Sequence, residues 1–167
     1  MSPITMIELN QSLRFDQLTV EEQQSFTAHP QPILVRMEKG FELYKWTQYS
    51  FVNLHGGITQ YWLPRNAMRF NDRHVPGFFE LRERYANLPG GAGRPQEAMR
   101  ARGAVTHEWN SMDSLTRAKL LVPVWGFLGL CRHQRVSKQS NMGNVFFIGG
   151  SFQLVIPNLS TATIIKL

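Results

Sequence analysis

VWGFLGLCRHQRV (residues 124–136) begins a series of β-prone runs that continues with NVFFIGG (144–150), SFQLVIPN (151–158) and TATIIKL (161–167). Each run is rich in β-branched or aromatic residues, and glycine, asparagine or proline separates it from the next. Such a pattern is typical of short strands joined by turns. It predicts an antiparallel sheet in the C-terminal third of the chain.

Helical and strand patterns both precede this sheet. Thr19 and Glu22 match the T-x-x-E capping box, which predicts a helix that ends before His29-Pro30. The β-prone runs 33–37 and 41–48 flank a Glu-Lys-Gly turn and predict a hairpin. Apolar spacing predicts helices over 77–86 and from Pro95 to about residue 120, with a long loop over 53–77. These elements together predict an α+β fold.

The length of 167 residues predicts a single domain, with a helical segment at 1–30 and a core at 31–167. The longest apolar run, at 120–131, contains Pro123 and is too short for a membrane helix. The first residues lack the basic and apolar regions of a signal peptide. A lone cysteine and widely spaced histidines favour neither a disulfide nor a metal site.

The charge of the chain is strongly asymmetric. Residues 114–167 contain no aspartate or glutamate, so the net charge of +6 lies entirely in the last third. This distribution predicts an anionic partner for that part of the chain. The segment from Arg132 to Gln139 is the best candidate to contact it, although it could also be a solvated strand edge.

Several short motifs resemble one enzyme family. The segment GGSFQLVIPNL (149–159) resembles the closing strands of ADP-ribosyltransferase-like toxin domains, which often have the form G-x-x-(E/Q)-x-x-I-P-N-L. LYKW (43–46) is similar to their first core strand, where a tyrosine precedes the arginine or histidine that grips the cofactor. ITQYW (58–62) and EWNSM (108–112) are similar to bacterial polymorphic-toxin sequences of this kind.

The resemblance implies a cleft between two small antiparallel sheets with flanking helices, where NAD binds and its nicotinamide–ribose bond is cleaved. It implies catalytic roles for Gln153 and Glu108, and it places the cofactor-binding residues at Tyr44, Lys45, Trp46, Trp62 and Arg132. It also implies a secreted effector that acts in the target-cell cytoplasm on a protein or nucleic-acid target, or by depleting NAD. An acidic immunity protein would be its neutralising partner.

Two of these positions depart from the family pattern. Gln153 stands where a glutamate is normal, and the lost charge is worth about 4 kcal/mol at 4 Å and an effective dielectric near 20. Lys45 replaces arginine or histidine and offers a point charge rather than a planar fork. Glu108 or Glu42 could complete the site, Gln153 could support a slow reaction, or the fold could serve binding alone.

Structural roles compete with each of these assignments. Gln153 could be a solvated edge position, Lys45 a surface lysine, and Trp62 a core residue. The alternative function is a non-enzymatic nucleic-acid-binding or interaction module built on the basic last third.

Overall fold

A computed structural model describes residues 7–47, 57–86, 114–132, 134–135, 146–147 and 152–167. This part of the chain contains a 3-10 helix (Phe15–Gln17) and two α-helices, α1 (Val20–Gln24) and α2 (Phe78–Ala86). Its strands are β1 (Ile33–Met37), β2 (Glu42–Thr47), β3 (Tyr61–Pro64), β4 (Met68–Phe70), β5 (Arg73–Val75), β6 (Ser114–Leu120), β7 (Val124–Leu130), β8 (Gln134–Arg135), β9 (Phe146–Phe147), β10 (Phe152–Val155) and β11 (Ile164–Lys166).

Seven of these strands form one antiparallel sheet in the order β1-β7-β10-β3-β2-β6-β11. The pairs β4-β5 and β8-β9 form two small additional sheets. Strands account for 43% of the described residues and helices for 13%, and the two α-helices are short. The predicted α+β class, with two small antiparallel sheets forming a cleft with flanking helices, is therefore wrong.

The large sheet folds back on itself because its connections are short. β1 and β2 stand four positions apart in the strand order, a separation of about 19 Å in a flat sheet. Residues 38–41 join them through a tight turn, in which Phe41 N donates a hydrogen bond of 3.1 Å to Glu38 O. β6 and β7 are also four positions apart and are joined by residues 121–123. The sheet therefore forms two half-sheets that face each other: one contains β1, β7 and β10, and the other contains β2, β6 and β11.

Strand β3 joins these half-sheets by using each of its ends for a different partner. Its first two residues, Tyr61 and Trp62, pair with Val155 and Leu154 of β10. Its last two, Leu63 and Pro64, pair with β2. The ladder between β2 and β3 covers Leu43 and Tyr44, whereas the ladder between β2 and β6 covers the whole of β2.

The main core lies between the half-sheets. It contains Met37, Leu43, Trp62, Phe70, Val75, Ala118, Leu120, Val124, Leu128, Phe152, Leu154, Ile156 and Ile164. Residues 7–32, here called the N-terminal segment, cover the outer face of β7 and β10 through a second cluster that contains Leu18, Phe26, Phe127 and Val155. Gly129 allows this contact, since a Cβ there would lie 2.8 Å from a ring carbon of Phe26.

Several predicted elements are confirmed. Thr19 caps α1 through a complete capping box, and α2 occupies the predicted span. β1, β2 and the C-terminal strands form where the β-prone runs predicted them.

Three predictions about elements are wrong. β1 and β2 are not a hairpin, because β1 pairs with β7 and β2 pairs with β3 and β6. The predicted loop at 53–77 contains β3, β4 and β5. Residues 114–120 are strand β6 rather than the end of a helix, and the rest of that predicted helix, 95–113, lies outside the described residues.

Candidate functional site

Lys45 lies on β2 immediately after the ladder with β3 ends. Its Nζ donates a hydrogen bond of 2.6 Å to Thr59 Oγ1 and lies 5.9 Å from the centre of the Trp62 ring. Trp62 Nε1 in turn donates a hydrogen bond of 2.7 Å to Thr59 O. Thr59 and Trp62 are buried and Lys45 is partly buried. These three residues are called the Lys45 cluster below.

The amine of Lys45 has no carboxylate partner among the residues that the structure describes. Glu42, on the same strand, lies on the opposite face and pairs with Arg65 at 3.4 Å. Thr116, the register partner of Lys45 on β6, is a buried neutral residue. Burial without a counter-charge lowers the pKa of Lys45 to about 7. Near pH 7 its amine is therefore neutral in roughly half of the molecules.

Tyr44 points away from the Lys45 cluster. Its buried ring lies 5.1 Å from the Phe78 ring and 5.2 Å from the Phe79 ring, centre to centre, and it anchors α2 to the sheet. Trp46 follows Lys45 in register with Leu115, but its side chain lies outside the described residues. Of the predicted cofactor-binding residues, the structure therefore brings together Lys45 and Trp62.

Gln153 belongs to a different environment. It lies on the central strand β10 opposite Gly129, so it is not at a sheet edge. Its Nε2 donates hydrogen bonds of 2.9 Å to Ser25 Oγ and 3.2 Å to Ser25 O. Its neighbour Leu154 packs in the main core, and Gln153 itself faces the N-terminal segment. The structure thus places Lys45 and Gln153 on opposite faces of the sheet.

Arg132 and Gln153 both donate a hydrogen bond to Ser25 O. The side chain of Arg132 is exposed, and its backbone N–H donates the bond of 2.9 Å to Ser25 O. Glu108, the second predicted catalytic residue, lies outside the described residues.

The N-terminal segment brings carboxylates to the face that carries Gln153. Burial raises the pKa of Tyr61, and the negative charges of Glu21 and Glu22 raise it further. Glu22 is itself buried, and its Oε1 accepts a hydrogen bond of 2.8 Å from Thr19 N. Sequence reasoning identified Glu22 as a capping residue and missed its place beside Tyr61, because the capping box does not show where the helix docks.

Two further observations restrict the chemistry of the described residues. No group of three or more His, Cys, Asp or Glu among them is placed to hold a metal ion. Cys131 is buried, and burial raises the pKa of its thiol to about 12, which suits a packing residue.

In the described part of the chain, no helix is long and apolar enough to cross a membrane. Comparison with known proteins gives no relative: no protein-family model matches this chain, and no curated protein or solved structure matches it.

Proposed function

We propose that this chain is an ADP-ribosyltransferase-like toxin or effector that binds NAD and cleaves its nicotinamide–ribose bond. It would transfer ADP-ribose to a macromolecular target or deplete NAD. The observation that carries the proposal is the Lys45 cluster, because two positions of the family motifs, Lys45 and Trp62, meet there in space.

The cluster suits a phosphate-bearing ligand. A partly buried amine without a carboxylate partner among the described residues gains from an anion that replaces lost hydration. The pyrophosphate of NAD is such an anion, and its binding would draw a proton onto Lys45. The hydroxyl of Thr59, 2.6 Å from Nζ, adds a second polar contact.

Bond cleavage would be slow in this arrangement. Loss of nicotinamide leaves positive charge on the ribose, and a nearby carboxylate normally stabilises that charge. Gln153 is neutral and faces Ser25, while Glu42 pairs with Arg65. Without a carboxylate beside the positively charged ribose, the rate of bond cleavage falls by up to roughly a thousand-fold. The negative charge would come from Glu108 or from the substrate itself.

The test is nicotinamide release from NAD by the purified chain, over long incubations and with candidate targets present. Lys45→Met keeps the length of the side chain and removes its charge, so we expect release to fall at least about tenfold, the loss of one charge-assisted contact. Lys119→Met is the matched control, because Lys119 is exposed on β6. Its release should equal that of the wild type.

Absence of release from the wild type, or an equal loss in both variants, would reject the proposal. Gln153→Glu supplies the carboxylate that the family normally has. A faster reaction in that variant would place position 153 in the reacting site, despite its contact with Ser25 in this structure.

We further propose delivery as a secreted effector into the cytoplasm of a target cell, with an acidic immunity protein as partner. The acid-free last third favours both an acidic partner and a second candidate function, a nucleic-acid-binding module. Arg117 and Lys119 favour that second function, because they are exposed on one face of β6 while the residues between and beside them are buried.

A further inference from the structure

We infer that Lys45 is a site of covalent capture, at which its neutral amine attacks an aldehyde that carries an anionic group and holds it as an imine. This activity goes beyond the proposed function, in which a protonated Lys45 holds NAD without forming a bond to it.

The first argument is the packing around the amine. Trp62 lies beside it, Thr59 accepts its hydrogen bond, and the buried Thr116 occupies the facing register position on β6. Protein atoms replace much of its water, while the end of the ladder between β2 and β3 leaves Lys45 partly exposed. A desolvated but reachable lysine is the kind that forms imines with carbonyl compounds.

The second argument is the absence of a group that would hold a proton on this amine. On its own strand, Glu42 lies on the opposite face and pairs with Arg65. On β6 the nearest charged residue is Arg117, which is exposed opposite Tyr44. On β3 the titratable residue is Tyr61, which packs towards the N-terminal segment. On these three strands, therefore, no charged side chain of the described residues faces Nζ.

These surroundings make the amine a nucleophile at neutral pH. Burial lowers its pKa to about 7, so about half of it is unprotonated at pH 7. An ordinary lysine is unprotonated in roughly one molecule in a few thousand at that pH.

The reaction balances without an oxidant or reductant. The lone pair of Nζ forms a bond to the carbonyl carbon, and the carbonyl oxygen takes up one proton from Nζ and one from the solvent and leaves as water. Thr59 Oγ1, 2.6 Å from Nζ, is placed to pass a proton to that oxygen. The product is a protonated imine whose positive charge has no carboxylate partner among the described residues. An aldehyde that brings its own phosphate or carboxylate is therefore favoured.

The experiment uses pyridoxal 5′-phosphate as probe on the full chain, followed by borohydride reduction and mapping of the labelled lysines by mass spectrometry. At pH 7.5 we expect Lys45 to be labelled at least about tenfold faster than the exposed Lys119 in the same molecules. The rate at Lys45 should level off above about pH 8, whereas that at Lys119 should rise through pH 10. Thr59→Val should slow labelling at Lys45 alone.

Labelling of Lys45 no faster than that of Lys119, or a parallel rise of both rates through pH 10, would overturn the inference. Pyridoxal, which lacks the phosphate, should label Lys45 more slowly than its phosphate, and an equal rate would overturn the preference for an anionic aldehyde. Both comparisons use the wild-type chain, so they hold even if a variant does not fold. Nicotinamide release is measured separately, which keeps this result independent of NAD chemistry.

Discussion

At the scale of the residue, Lys45 makes stability depend on pH. Its folded pKa of about 7 lies below its ordinary value, so the unfolded chain binds more protons between pH 7 and about 10.5. The contribution of Lys45 to the free energy of unfolding therefore rises with pH through this window, and below pH 7 the cost of burying the cation is constant. Lys45→Met should stabilise the protein at pH 6 by a few kcal/mol, at about 1.4 kcal/mol per pKa unit.

Urea denaturation of both proteins at pH 6 and pH 9.5 measures this effect. The difference in unfolding free energy between variant and wild type should shrink at the higher pH. Lys119→Met should show no such change, because Lys119 is exposed. An equal gain at both pH values would contradict a depressed pKa at Lys45.

The residues of the candidate site show what the sequence can predict and what it cannot. Lys45 and Trp62 were predicted as one site from motifs, and the structure does bring them together. Gln153 was assigned to the same site, but it faces Ser25 on the opposite side of the sheet. Alternation along one strand predicts which of its residues share a face. Which residues of two different strands lie side by side depends on how the strands pair and in which register, and the pattern of a single strand does not show this.

At the scale of the element, the N-terminal segment depends on one aromatic anchor. Phe26 is 3% exposed and packs with Leu18, Phe127 and Val155. Phe26→Ala should lower the unfolding free energy by about 3–5 kcal/mol, because it empties a buried ring site. The same variant should expose the segment to limited proteolysis.

Val20→Ala serves as the control for that prediction, since Val20 is 68% exposed in the same segment. It should change stability by less than about 0.5 kcal/mol. If both variants had similar stability and protease resistance, Phe26 would not be the anchor.

Strand positions proved easier to predict than strand partners. The runs at 33–37 and 41–48 both form strands, yet the turn between them does not make a hairpin. Residues 38–41 instead carry the chain from one half-sheet to the other. The residues of a turn determine only the local shape of the backbone. The partner of each flanking strand is determined by packing against distant strands, such as β7 for β1.

At the scale of the whole molecule, the charge asymmetry makes the second candidate function testable. If the exposed face of β6 contacts phosphates, the double variant Arg117→Gln/Lys119→Gln should bind duplex DNA more weakly and with a shallower dependence on salt. Two lost phosphate contacts reduce the slope of log K against log salt by roughly 1.8. Fluorescence anisotropy across a salt series measures this slope.

The double variant Arg14→Gln/Lys39→Gln is the matched control, because it removes the same charge from exposed residues in the first third of the chain. An equal loss in both double variants would point to net charge rather than to the face of β6. Failure of the wild type to bind DNA at low salt would remove this function altogether.

The order of strands in the large sheet also governs how the chain matures during synthesis. β1 pairs with β7, β2 with β6, and β3 with β10, so each early strand waits for a partner made tens of residues later. Chains dominated by such distant pairings fold slowly, because the entropy of closing long loops is lost before the stabilising contacts form. Until β10 leaves the ribosome, β3 lacks the partner of its first two residues. The large sheet can therefore close only after residues 152–155 have been made, and until then β1, β2 and β3 lack some of their partners.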